Sequence, residues 1–460
     1  MDDNICLMTD SYKFSHWKQY PPGTQTVYSY LESRGGMFDR TVFFGLQYYL
    51  KKYLQGVVVT PVKVMEAKTF VHQHLGQDTF NTEGWLYIAN ELGGNLPVEI
   101  CAVPEGYKPQ TNNVLMTIRN TDPRCFWLPN YLETLLLKVW YPTTIATLSY
   151  NLKEILEEFA GICGYDSDIV NFQMHDFGYR GVSSEESAGL GAAAHLLNFK
   201  GTDTVAGIRM LQEYYCCDYM PAFSVPAMEH STVTSWGQDR ELDAYENAMD
   251  SYPTGILSIV ADSYDIVNAC LNIFGKKLKD KILERDGKIV IRPDSDDTIP
   301  TLIKVFNILF DKFGYMENSR GYKVLPPVLG VLQGDGIDYH IIRQILNAMV
   351  VNGISTENIV FGSGGALLQK VNRDTLKFAF KASAIQIDGK WNGVFKTSPG
   401  KESKKGILSL IRDRNVYRTM CYGEPTMSFG NKLRKVFENG EMYKTFTYED
   451  IKNNVERWDC

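Results

Sequence analysis

Glu229 and His230 stand side by side in the stretch EHST. A carboxylate next to an imidazole raises its basicity, which suits a general base or a nucleophile. Asp265, in ADSYD one motif later, is a second acid able to orient that ring. RPDSDD sets Arg292 and Asp294 two apart across a proline, so on extended chain their side chains face the same way. Arginine suits a phosphate or pyrophosphate, and Asp294 suits ribose hydroxyls or a magnesium shell. The turns GDG (334–336, with Gly334 and Asp335) and GSGG (362–365, with Gly364 and Gly365) let backbone N–H groups approach phosphate oxygens, and Arg373 follows as a fixed positive charge. HDFGYRG, residues 175–181, offers an aromatic face in Phe177 and a guanidinium in Arg180, fit for a flat heteroaromatic ring or an anion. Asp203, in KGTD, could accept a hydrogen bond from an amide or amine. Each feature also has a plainer reading. Phe177 could be core packing, the glycines tight turns with positive φ, Asp294 a helix cap and His230 a satisfied structural histidine. His72 and His74 fall on different faces of one helix and make a poor metal pair, so no metal site is assigned.

What must position these residues is a recurring unit after residue 165: a short apolar run, a polar or glycine-rich turn, then a helical stretch. NFQMHDF, LNFKGTD, AFSVPAMEH, ILSIVADS, KIVIRPDSDD, PVLGVLQGDG and ENIVFGSGG each open such a unit. The unusual residues all lie where strand turns into helix. An α/β barrel gathers those turns at one face, whereas a doubly wound sheet gathers only some of them, so a barrel is expected. Helix starts carry caps: Ser183 with Glu186 has S-x-x-E spacing, and Asp297 or Thr298 precedes another helix. Earlier in the chain, mixed segments suggest an α+β domain, with WLPNYLETLLLKVWYPTTIATLSYNLKEILEEF read as two long helices broken at Pro142. The expected division is 1–164 (mixed α+β), 165–375 (barrel) and 376–460 (a segment packing with the first).

At 460 residues with a formal net charge of −7, the chain can bury a large core and is unsuited to a dominant nucleic-acid surface. No apolar run reaches the length of a membrane span, and MDDNICLMTD lacks the basic-then-apolar order of a secretory signal. Nine cysteines with no CxxC pair point to reduced thiols and a cytoplasmic protein.

TDSYKFSHWKQYPP, HDFGYRGVSS, FKGTDTVAG, SVPAMEHST, DSYDI, IRPDS, QGDG and FGSGGALLQK, in that order and ending near ENGEMYKTF, resemble the nicotinamide phosphoribosyltransferase family along nearly the whole chain. The resemblance implies an irregular α/β barrel of the type II phosphoribosyltransferase kind with a mixed α+β domain, working as a homodimer. It implies formation of nicotinamide mononucleotide and pyrophosphate from nicotinamide and 5-phosphoribosyl-1-pyrophosphate in NAD salvage. Magnesium would come with the pyrophosphate substrate, and ATP would serve as a facilitating co-substrate. Phe177 and Tyr12 of a partner chain would sandwich the pyridine ring, with Arg180 nearby and Asp203 accepting from the carboxamide. His230 would be phosphorylated by ATP, with Glu229 and Asp265 as its acidic neighbours. Arg34, Ser224, Arg292, Asp294, Gly334, Asp335, Gly364, Gly365, Arg373 and Lys381 would hold ribose and phosphates. The chain departs from the family pattern at Ala261, where serine is usual, and at Asp296, where glycine is usual. The alternatives are a nicotinate phosphoribosyltransferase on the same fold, or a non-catalytic binding protein that retains the barrel.

Overall fold

A computed structural model describes residues 4–294, 298–397, 403–425 and 430–457. Asp296 and Asp297 lie outside the described residues. The chain forms two compact units, one of Met1–Thr147, Leu211–Cys217 and Asn372–Cys460, the other of Leu148–Met210 and Asp218–Val371.

The first unit is built on a seven-stranded antiparallel sheet in the order Lys390–Gly393, Phe378–Ile387, Thr24–Ser33, Val114–Asn120, Val98–Ala102, Arg434–Glu438, Glu441–Met442. The long strand Thr24–Ser33 sits at its centre and is buried over most of its length. Aromatic side chains fill the adjoining core: Trp85 packs edge-on against Trp127 and Tyr131, with ring centroids 4.9 and 5.2 Å away. The 3-10 helix Ser11–Lys18 is fixed to this core by Lys13, whose buried ammonium donates to Glu133 at 2.6 Å and to the Asn130 carbonyl at 2.8 Å.

The second unit carries six parallel strands: β1 (Met174–Asp176), β2 (Gly201–Thr202), β3 (Thr254–Val260), β4 (Asp286–Arg292), β5 (Leu329–Gln333) and β6 (Ile359–Ser363). Runs such as Ile289, Val290 and Ile291 are apolar in succession because strands of a parallel sheet are covered on both faces. β1 pairs with β2, β3 with β4, β4 with β5, β5 with β6, and β6 returns to β1. The remaining gap, between β2 and β3, is spanned by residues 221–228 through two isolated parallel bridges, Gly201 to Phe223 and Ala227 to Ser258. The ring therefore follows chain order, as a barrel requires. AFSVPAMEH was expected to be a strand like the others. Pro221 and Pro226 withhold the N–H groups a ladder needs, which leaves it two bridges.

Two local expectations need correction. Pro142 does not break a helix: it lies in the first turn of the helix Trp140–Cys163, where a residue's N–H has no intrahelical acceptor to lose. The helix Glu185–His195 is capped by Ser184, not Ser183; the Ser184 hydroxyl accepts from the Ser187 N–H at 3.1 Å. Among the described residues the cysteines are thiols, and no helix is long and apolar enough to cross a membrane.

Candidate active site

The C-terminal ends of β1 to β6 bring most of the expected residues to one rim of the second unit. At the end of β1, Asp176 is fully buried and accepts from the Gly178 N–H at 2.7 Å and the Thr202 hydroxyl at 2.9 Å. Its carbonyl accepts from the Asp203 N–H at 2.9 Å, so the turns after β1 and β2 are bound together. Burial pushes the Asp176 carboxyl above its ordinary value, against the hydrogen bonds it accepts. The Phe177 N–H donates to the Ser363 carbonyl, and its ring lies against Gly362, where any side chain would overlap it. The turn residue Gly181 meets the backbone of Gly365, with a Cβ there only 3.0 Å from the Gly365 nitrogen. Gly362 and Gly181 thus give the ring and the turn their close approach. Arg180, in the 3-10 turn Tyr179–Gly181, is exposed.

Beside Phe177 stands a group of three polar side chains. His175 Nε2 lies 2.9 Å from Asp203 Oδ1, and the Ser224 hydroxyl donates to the same oxygen at 2.5 Å. Burial would raise the Asp203 carboxyl, but the hydrogen bonds from His175 and Ser224, with the charge of Arg292, outweigh it and hold it below its ordinary value. Ser224, expected among the ribose and phosphate contacts, here serves Asp203. His175 was given no role from the sequence. Its spacing could have found it, because His175 and Phe177 are two apart on extended chain and share a side.

Across the rim, His230 opens the short helix His230–Thr234, and its Nε2 lies 3.0 Å from Asp262 Oδ1. The ring's acidic partner is therefore Asp262, not the expected Asp265. Asp265 instead caps the next helix, accepting from the N–H groups of Val267 and Asn268 at 2.9 and 3.0 Å. Glu229 accepts from the Ser231 hydroxyl. Asp294 has φ +39°, a left-handed conformation that costs energy in a residue other than glycine and gathers at functional sites. Gly334 leaves room for it: a Cβ there would sit 3.0 Å from Asp294 Oδ1. Burial pushes the Asp294 carboxyl up; Asp262 and Asp335 push it further, against Arg292 and His230. Arg292 Nε is 3.6 Å from Asp294, an ion pair beyond hydrogen-bond reach, and this buried nitrogen has no hydrogen-bond partner. The buried Ser263 hydroxyl is in the same position. Orphaned donors beside crowded carboxylates fit a ligand that brings both oxygens and a cation. Ala261 is fully buried, its N–H donating to the Arg292 carbonyl at 2.9 Å.

Four expected residues belong to the first unit. Tyr12 is 61% exposed, its ring 4.7 Å from His16 in an edge contact. Arg34, at the end of Thr24–Ser33, donates through Nε to Glu32 at 2.7 Å, while its buried Nη2 has no partner. Glu32 also takes the ammonium of Lys404. Lys381 is exposed and stands opposite Tyr30 in the sheet register. Arg373 is exposed in the 3-10 turn Arg373–Thr375, 3.5 Å from Asp374.

Comparisons with known proteins identify the family. Residues 172–441 match the nicotinate phosphoribosyltransferase (NAPRTase) family, and residues 4–100 match the nicotinamide phosphoribosyltransferase N-terminal domain. A nicotinamide phosphoribosyltransferase of Xanthomonas campestris is 46% identical over 99% of this chain and 98% of its own. That of Acinetobacter baylyi is 32% identical over 97% and 96%. Among solved structures, a nicotinate-nucleotide pyrophosphorylase from Pyrococcus furiosus aligns with TM-score 0.59 at 16% identity, covering 99% of this chain and 95% of its own. Human nicotinic acid phosphoribosyltransferase aligns at 0.57 and 15%, covering 98% and 93%; at such identities the likeness is one of fold. The chain belongs to the nicotinate phosphoribosyltransferase family and, within it, to the nicotinamide phosphoribosyltransferases.

Proposed function

We propose that this enzyme, a pentosyltransferase, joins nicotinamide to 5-phosphoribosyl-1-pyrophosphate in NAD salvage. The pyridine nitrogen lone pair forms a bond to ribose C1 as the C1–O bond to pyrophosphate breaks, and that electron pair leaves with pyrophosphate. The observation that carries the reading is Asp203: two donors fill Oδ1 and the carboxyl is held below its ordinary value, which suits Oδ2 to accept from a ligand beside Phe177. An amide donates to such an oxygen, while a carboxylate is repelled by it. Nicotinamide is a weak, neutral nucleophile, so holding its ring in line contributes more than base catalysis. Arg180 flanks the ring slot, and Arg292, Gly334, Asp335, Gly364 and Gly365 line the ribose and phosphate end. The exposed face of Tyr12 suits a role as the opposite wall in a homodimer, with Arg34, Arg373 and Lys381 completing the phosphate end.

Magnesium fits as a guest of the substrate. Among the described residues no cluster of three or more acids, histidines or cysteines could hold a metal alone, while Asp262, Asp294 and Asp335 crowd one another as a cation would relieve. Bound there, it would neutralise charge developing on the departing pyrophosphate. For His230, a carboxylate can only accept, so the 3.0 Å contact with Asp262 assigns the proton to Nε2 and leaves the lone pair on Nδ1. That nitrogen suits attack on the γ-phosphorus of ATP, forming P–N as the bond to ADP breaks. We place the protein in the cytoplasm on the strength of its thiols. The test is to mix enzyme, nicotinamide, 5-phosphoribosyl-1-pyrophosphate and magnesium, with and without ATP, and follow mononucleotide. Product is expected in both cases and more with ATP; none in either would favour a non-catalytic protein.

A further inference from the structure

His175 takes no part in the transfer chemistry, yet it touches both Phe177 and Asp203 at the ring slot. Its imidazole sits 4.9 Å from the Phe177 ring, tilted by 45°, and its Nε2 reaches Asp203 Oδ1. Because the carboxylate only accepts, Nε2 carries the proton. The other edge of the ring stands against Gly201, where a Cβ would lie 2.6 Å from Nδ1. The absence of a side chain at Gly201 thus makes the space that the imidazole occupies. The titratable and charged groups acting on the pair are few. Asp176 lies on the same strand, and Arg292 acts on Asp203. His195 comes from the helix Glu185–His195, and burial pushes it down to about 3, so it is neutral.

Resting on the nicotinamide reading above, we propose that His175 is a positioning residue that sets the choice between amide and acid substrates. Its Nε2–H, with the Ser224 hydroxyl, occupies Oδ1 of Asp203 and turns Oδ2 alone toward the substrate carboxamide. Without that donor, burial is opposed by Ser224 and Arg292 alone, which favours the neutral acid of Asp203 more than in wild type. A neutral acid can donate to a carboxylate as readily as it accepts from an amide, so nicotinate gains.

The experiment measures kcat/KM for nicotinamide and for nicotinate in the full-length enzyme at neutral pH. His175→Ala should lower the ratio at neutral pH by at least about tenfold, the scale of a hydrogen bond to a charged group. His175→Gln, whose amide can donate from the same place, should restore the ratio, which a merely structural role for the imidazole would not give. Gly201→Ala should lower the ratio with every polar group still present, and it carries the test if His175→Ala fails to fold. An unchanged ratio in His175→Ala and Gly201→Ala, with Asp203→Ser lowering it, would overturn the role of His175 and leave the nicotinamide reading standing. A ratio unmoved by all three would overturn both.

Discussion

The rim of the barrel holds two histidine–aspartate pairs of nearly equal length, His175–Asp203 at 2.9 Å and His230–Asp262 at 3.0 Å, in opposite electrostatic settings. At the first, a second donor and a nearby arginine keep Asp203 below its ordinary pKa. At the second, burial pushes the neighbouring Asp294 above its own, and Asp262 and Asp335 add to the rise. The same pair of residue types therefore does different work. On the proposed function, the pair beside Phe177 presents a fixed anion to a neutral amide, and the pair beside Asp294 leaves a nucleophilic nitrogen in a field that welcomes a cation. Local charge balance, more than residue identity, separates the two roles.

The largest expected effects fall on the His230 side. Incubation with ATP should leave acid-labile phosphate on the wild-type protein and none on His230→Ala. Asp262→Asn keeps the shape but no longer fixes the proton on Nε2, and should reduce ATP-driven turnover by on the order of 10²-fold or more. Retained phosphorylation in His230→Ala would break the contrast between the two pairs. Next comes Asp294→Asn, where turnover should fall about 10²- to 10³-fold through the lost charge. Its melting temperature should hold or rise. The sign follows from the raised pKa: the ionised form costs stability in the fold, so that cost is absent at low pH and grows as pH rises through the folded value. Asp203 has the opposite sign, contributing stability at neutral pH that is lost only as the pH falls through its depressed folded value.

Two smaller effects sharpen the picture. Gly362→Ala would force the Phe177 ring off the strand, raising KM for nicotinamide roughly tenfold at a stability cost of about 1–3 kcal/mol. A KM change confined to 5-phosphoribosyl-1-pyrophosphate would place the ring elsewhere. Asp265→Ala should cost about 0.5–2 kcal/mol as a lost helix cap, read in denaturant melts, and disturb phosphorylation far less than Asp262→Asn.

Much of this was legible in the sequence. Continuous apolar runs ending in polar turns signal parallel strands, and the turn placement of Phe177, Asp203, His230 and Asp294 selects a barrel rim. What was not legible depended on details that spacing does not carry. ADSYD holds two aspartates three apart, and only the helix start at Ile266 decides that Asp265 is used up as a cap while Asp262 is left for His230. Pro142 is a breaker or a starter depending on where the helix begins. His175 meets Asp203 across 28 residues through strand pairing, a contact that no local pattern states. Glu32, 2% exposed, binds the cations of Arg34 and Lys404, and Lys404 reaches it from 372 residues away in the sequence.

The most direct measurement of the central claim is the ratio of kcat/KM for nicotinamide to that for nicotinate in wild type and in Asp203→Ser. The account predicts a strong wild-type preference for nicotinamide that falls by about 10- to 100-fold in the variant, as removal of a charged hydrogen-bond partner should give. A wild-type enzyme that prefers nicotinate, or a ratio unchanged by the substitution, would contradict it.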